Sequence, residues 1–318
     1  MSILARKLLT ALLLPACLAL SAPALRAAPA ACPPAAEAPS AEALQAAQAR
    51  AQDRGLLWRI SKDGRSAYLY GSIHVGKLDW ALPGPKLAAA LQDSDMIALE
   101  LDPADPAIQQ RMAAGMARRH VAPDESLRRR LARHEAEACL PKGALAGQHP
   151  LMQAFMLTLL AARWEGLELA YAQEQVLSGM ARTLQRQVVS LETVELQLGA
   201  LLPKNRRQAL KMTGELLDLL EEGKARSVLR RMAEAWESSD LQALEDYEQW
   251  CECAQSAADR AQLKRLNDDR NPYLAERIDA LVRAGHQPLA AVGALHMTGP
   301  KALPRLLERR GFKVERLQ

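Results

Sequence analysis

Val292-Gly293-Ala294-Leu295-His296, near the C-terminus, repeats the form of Tyr70-Gly71-Ser72-Ile73-His74 near the start: each is an apolar run closing in Gly-x-x-His. With 17 Gly and 6 His in 318 residues, roughly 0.3 such spacings arise by chance. Two of them, both at the end of an apolar run, ask for a common cause. If both histidines reach one place, the two ends of the chain pair within one sheet around a metal or a catalytic centre. A glycine three residues before a histidine gives the backbone freedom to turn at a strand end and leaves room for a close neighbour.

Leu57-Trp58-Arg59-Ile60 and Ala67-Tyr68-Leu69-Tyr70 flank Lys62-Asp63-Gly64-Arg65. An Asp-Gly between two such runs predicts a hairpin, which delivers the chain to Gly71 and His74. Residues 96–101 form a buried-strand candidate that carries Glu100 and is closed by Asp102-Pro103. Residues 187–191 are a second, followed by Glu192, and Pro288 to Val292 lead into the second motif. Phe312 to Leu317 alternate as a final half-exposed strand. Residues 104–186 and 204–267 are rich in Ala, Leu, Glu, Gln and Arg at helical spacing, as in Ala209, Met212, Leu216, Leu219 and Leu220. Breaks fall at Pro123, Pro141 to Gly147, Gly166, Pro203 and Gly223. The pattern is that of an α/β fold, with a mixed central sheet formed from N- and C-terminal strands and a large helical middle section. Functional groups in such folds collect where strands end, and His74, Glu100, Glu192 and His296 all fall there.

The N-terminus carries Arg6 and Lys7, an apolar stretch to about Leu20, and small residues at Ala22-Pro23-Ala24 and Leu25-Arg26-Ala27. That layout predicts a cleaved signal peptide over residues 1–27, hence a periplasmic or secreted protein. A lipoprotein anchored at Cys17 is the competing reading, disfavoured by Pro15 and by the apolar stretch beyond Cys17. Residues 28–53 are Ala, Pro, Glu and Gln with few large apolar groups, and read as a linker or a frayed helix. Residues 54–318 remain as one domain with a substantial core and no transmembrane segment. The formal charge of +4 falls to +1 when Arg6, Lys7 and Arg26 leave with the signal, so nucleic acid is not an implied partner.

Four cysteines stay in the exported chain, Cys32, Cys139, Cys251 and Cys253. An oxidising compartment makes disulfides the default, with three connectivities open. A bridge from Cys139 to Cys251 or Cys253 is the favoured one.

Two histidines and a carboxylate with open positions can hold zinc, manganese, cobalt or iron, and water on such an ion becomes a nucleophile at moderate pH. Glu100 is the natural third ligand to His74 and His296, because a carboxylate in an apolar strand needs a cation or donors. Each residue also has a plainer explanation. The histidines can be buried and hydrogen-bonded, and Glu100 can pair with a buried arginine. Glu192 can serve the helix that starts near Thr193, and Asn271 before Pro272 has the form of an N-cap. His120, His134, His149 and His286 lack paired partners and read as surface or structural groups.

Taken together, Leu57 to Ile60, Tyr70 to Gly76 and Ser94 to Asp102 resemble the N-terminal block of the TraB/GumN family. Leu191-Glu192-Thr193-Val194-Glu195 with Gln197, Arg270-Asn271, and Val292 to His296 followed by Gly299-Pro300 resemble its later blocks in order. That family is related to the Tiki metalloproteases, which use two Gly-x-x-His motifs and an acidic residue to hold metal and cleave peptides. The resemblance implies a metal site of His74, Glu100 and His296 holding manganese or cobalt, beside the zinc that the donor set also suits, and a fold similar to that of erythromycin esterase and ChaN. It implies proton-transfer, orienting or supporting roles for Glu192, Arg270 and Asn271. The expected activity is a divalent-metal-dependent, peptidase-like hydrolase of a peptide or a small amide or ester. The alternative is a non-catalytic peptide-, metal- or haem-binding protein on the same fold.

Overall fold

The computed structural model describes residues 32–34 and 39–318. The signal peptide expected over residues 1–27, and with it Cys17, lies outside them. Six strands form one sheet: β1 (Leu56–Lys62), β2 (Arg65–Ser72), β3 (Met96–Leu99), β4 (Gln187–Ser190), β5 (Pro288–Gly293) and β6 (Lys313–Arg316). Their spatial order is β4-β3-β5-β2-β1-β6.

The hairpin forms as its sequence dictates. β1 and β2 pair antiparallel from Leu56↔Gly71 to Lys62↔Arg65, and both turn residues are left-handed, Asp63 at φ 51° and Gly64 at φ 74°. Two positive φ values are what a tight turn matched to strand twist requires. β5 then enters from the far end of the chain, parallel to β2 on one side and to β3 on the other. Every residue of β3 is buried, as is β5 up to Val292, which is why both read as unbroken apolar runs. β4 is parallel to β3. It corrects the expectation of a buried strand: β4 is an edge, exposed at Gln187 and half-buried elsewhere, because no strand covers its outer side.

The helical middle section folds over this sheet in short segments that break where the sequence breaks. Helices Glu125–Glu137 and Pro150–Ala161 are separated by the Pro141 to Gly147 turns, and Arg206–Glu221 and Lys224–Glu237 by Gly223. Trp236, fully buried, donates its indole N–H to the Gly71 carbonyl at 2.8 Å and packs against Tyr70 and Trp80. The helical layer is thereby pinned to the strand that carries the first motif. Of the segment read as linker or frayed helix, Ala41–Ala49 is helical, capped by the Ser40 hydroxyl, with Ala47 buried. Arg50 beyond it pairs with Asp79 at 2.9 Å. Among the described residues no helix is long and apolar enough to cross a membrane.

The disulfides correct a second expectation. Cys139 bridges Cys32, not either member of the later pair. Arg163 donates to the Pro33 and Pro34 carbonyls and lays the Cys32 segment beside Cys139. Cys251 and Cys253, 5.0 Å apart at Cα, bridge each other. Proximity in sequence did for that pair what the tertiary fold did for the other.

Candidate active site

Four adjacent parallel strands each deliver one of the residues singled out. In spatial order, β4 leads to Glu192, β3 to Glu100, β5 to His296 and β2 to His74. The two Gly-x-x-His segments lie side by side, with Gly71 opposite Val292 and Ser72 opposite Gly293. Neither motif glycine has a positive φ, so the turning freedom expected of them is not what they supply. Gly71 supplies space: a Cβ there would sit 3.2 Å from both Ala294 Cα and Leu56 Cβ. Gly293 supplies a donor, its N–H bonding Glu100 Oε1 at 2.8 Å.

Arg270 stands at the centre. Its Nε donates to Glu192 Oε1 at 2.9 Å, and its Nη2 bonds both Glu192 Oε2 and Glu100 Oε2. Its Nη1 donates to the Leu266 carbonyl at 3.0 Å and lies 3.2 Å from His296 Nε2. The side chains of Arg270, Glu100 and Glu192 are 12%, 9% and 1% exposed, so this is a buried ion triad. The reading in which Glu100 pairs with a buried arginine therefore holds as well. Burial works against ionising Glu100, but Arg270, both histidines and the Gly293 N–H outweigh it and hold the carboxyl well below its ordinary range. Glu192 shifts the other way: burial, with the nearby Glu100 charge, raises it against the pull of Arg270. Gln197, from helix Val194–Leu201, adds a 3.3 Å bond to Glu100 Oε2.

His296, buried in the short 3-10 turn after β5, is oriented by Asn271. The Asn271 amide nitrogen donates to the His296 and Lys301 carbonyls at 3.1 and 2.8 Å, which turns its Oδ1 toward His296 Nδ1, 2.5 Å away. Nδ1 must then carry the proton, leaving the Nε2 lone pair facing Arg270 and, at 3.6 Å, Glu100 Oε1. Burial pushes the imidazole pKa down to about 4, so the ring is neutral. Asn271 is thus not the N-cap of its helix; it spends its side chain on His296. Glu192 likewise leaves the following helix to Thr193, whose hydroxyl caps Leu196 N.

His74 is half exposed, with Nδ1 3.2 Å from Glu174 Oε1, and that carboxylate raises its pKa. Ser72 donates to the same oxygen at 2.5 Å. The Gln173 N–H bonds the Ile73 carbonyl at 2.9 Å and fixes helix Gln173–Thr183 against the end of β2. Nothing in the sequence singles out Glu174. One acidic residue in the first turn of a helix looks like any other residue favoured by the helix dipole. His134, between Glu137 and Glu221, and His149, capping Leu151 N, are structural, as expected.

A cleft of about 370 Å³ opens beside Glu192, with Leu101, Ile108, Val189 and Val194 among its apolar walls. Among the described residues no three His, Cys, Asp or Glu side chains converge on one point at metal-binding geometry. Both imidazoles have Nδ1 against an oxygen, the arrangement that orients metal-binding histidines, but His296 Nε2 faces Arg270 Nη1 at 3.2 Å, so an ion there would have to take the place of the guanidinium. In this arrangement it is the Arg270 guanidinium that supplies the positive charge between Glu100 and His296.

Residues 56–316 match the model of the TraB/PrgY/gumN family. The chain belongs to that family. The match spans the whole sheet and runs from the first residue of β1 to the last of β6. Neither the curated proteins nor the solved structures contain a significant match. The mixed α/β architecture is therefore established by the strands themselves, and the likeness to erythromycin esterase and ChaN rests on the sequence resemblance alone.

Proposed function

We propose that this TraB-family chain is an exported, divalent-metal-dependent hydrolase of a peptide or of a small amide or ester, peptidase-like in its chemistry. The observation that carries the reading is the anchoring of both imidazoles through Nδ1, to Glu174 for His74 and to Asn271 for His296. Outer oxygens of that kind are how proteins fix the tautomer and direction of metal-binding histidines. His74, Glu100 and His296 would hold manganese, cobalt or zinc. The ion, when bound, lowers the pKa of a coordinated water toward neutrality, so that hydroxide is available as a nucleophile.

The surrounding residues have separate tasks. Asn271 keeps the proton of His296 on Nδ1, and Glu174 and Ser72 hold His74 at the mouth of the site. Glu192, with its raised pKa, takes up and returns a proton at its carboxylate, next to the cleft that admits the substrate. Arg270 neutralises the paired Glu192 and Glu100 carboxylates, and its Nη1 reaches His296 Nε2. The leader sequence Arg6 to Ala27 supports export.

The test is turnover of a mixed peptide library, read by mass spectrometry, with chelated protein and after adding back manganese, cobalt or zinc. Cleavage should depend on the ion and vanish in His74→Ala and His296→Ala. Turnover in chelator, or full activity in both variants, would overturn the proposal. The contact of Arg270 with both Glu100 and His296 favours a second reading, a binding protein without catalysis, which the same experiment identifies by ligand retention without product.

A further inference from the structure

Cys251-Glu252-Cys253 closes its bridge across a single residue, whereas Cys32–Cys139 closes one over a sequence separation of 107. The freedom a bridge removes from the unfolded chain grows with the logarithm of loop length. The long bridge therefore stabilises the fold substantially, and the one-residue bridge contributes little. Opening the small ring does not require the protein to unfold.

Three local features give this ring a reactive form. Glu252, inside it, has φ 58°, a left-handed conformation that a side chain other than glycine adopts at a cost. Ring opening frees that residue. The two sulfurs are also unlike in access, since Cys251 is 1% exposed and Cys253 is partly exposed. Finally, the Cys253 N–H points at Cys251 Sγ, 3.1 Å away. A donor in that position stabilises negative charge on the sulfur that leaves when the bond breaks.

We propose that Cys251–Cys253 is a thiol–disulfide exchange site whose reaction partner is a small thiol. The incoming thiolate attacks Cys253 Sγ and forms a mixed disulfide there. The Sγ–Sγ bond breaks with its electron pair on Cys251 Sγ, which is held by the Cys253 N–H and then protonated by water. A second thiolate attacks the partner's sulfur in the mixed disulfide, releasing Cys253 as a thiolate and the partner as its own disulfide. Two small thiols are oxidised to their disulfide and one protein disulfide is reduced; the reverse sequence re-forms the protein disulfide and reduces the partner's disulfide to two thiols. The site uses none of the residues assigned to hydrolysis.

The experiment equilibrates the full, oxidised protein with graded mixtures of reduced and oxidised glutathione, then traps free thiols by alkylation for peptide mass spectrometry. Cys251–Cys253 should open at a ratio at least about tenfold less reducing than Cys32–Cys139, with circular dichroism unchanged. In Cys251→Ser, glutathione should be found on Cys253, while in Cys253→Ser the buried Cys251 should carry little. Glu252→Gly removes the backbone cost and should make the ring about fivefold or more harder to open. Opening of both bridges together on unfolding, glutathione mainly on Cys251, or no shift in Glu252→Gly would each overturn the proposal. The wild-type titration alone decides the matter if a cysteine variant does not fold.

Discussion

Arg270→Met removes the cation shared by Glu100 and Glu192 and keeps most of the side chain's length. Both carboxylates are almost fully buried, so neither gains water when the guanidinium goes. Breaking a buried pair by deleting one partner costs about 3–5 kcal/mol, and here two acceptors are orphaned. For a domain of this size each kcal/mol moves the melting temperature by roughly 2–4 °C, so the variant should melt about 6–20 °C lower in chelator at pH 7. The sign of the pH dependence follows from Glu100. Its folded pKa is depressed, so its contribution to stability is present above the ordinary carboxyl value and is lost as pH falls through the depressed one. The variant lacks the chief cause of that depression, and the deficit relative to wild type should shrink as the pH is lowered to about 4. Urea unfolding of both proteins, followed by circular dichroism at pH 7 and near pH 4, measures this. A deficit below about 1 kcal/mol at pH 7, within the range of exposed ion pairs, or one that stays constant with pH, would refute the claim that Arg270 neutralises the buried pair.

Further outcomes follow from other contacts. Glu174→Leu deletes the oxygen beside His74 Nδ1, and divalent-metal affinity by calorimetry should fall about 10–100-fold, whereas an unchanged affinity would remove Glu174 from the site. Replacing Cys32 and Cys139 together by serine should cost about 4–5 kcal/mol in denaturant unfolding, given the length of the loop they close. His149 accepts from Leu151 N at 3.2 Å and is buried, which lowers its pKa. The folded state resists its protonation, so this contribution is complete above the ordinary histidine value and is lost as pH falls below it. Relative to His149→Asn, wild type should lose stability between about pH 7.5 and pH 5; parallel melting curves would refute that.

The sheet, and the strand ends on which the singled-out residues meet, are legible because their signals are local. Asp63-Gly64 between apolar runs specified the hairpin, and the two Gly-x-x-His segments lie opposite one another on β2 and β5. Glu100, Glu192, Arg270, Asn271 and His296 form one bonded network. What escaped depends on three-dimensional neighbours. Glu174 is distinguished only by helix Gln173–Thr183 docking on Ile73. The half-exposure of β4 depends on its being last in the strand order, which its sequence does not encode. The partner of Cys139 is set by a tertiary contact, Arg163 bonding the Pro33 and Pro34 carbonyls and so placing the Cys32 segment, which neither cysteine's own neighbourhood encodes. Of the two roles expected of the motif glycines, turning freedom is absent from both, whereas room for a close neighbour is what Gly71 supplies.

The position of β5 between β3 and β2 also governs the order in which this protein can become itself. A chain made or threaded from its N-terminus presents β2 and β3 long before the strand that joins them emerges. Until then their facing edges have no partner, a condition that slows folding and invites association with other chains. No fragment ending before Pro288 contains His296 or the central strand, so in partial products the Arg270 network lacks its histidine as the sheet lacks its middle. The Arg270 network thus records that strands far apart in the chain have met, because it closes only once β5 has taken its place between β3 and β2.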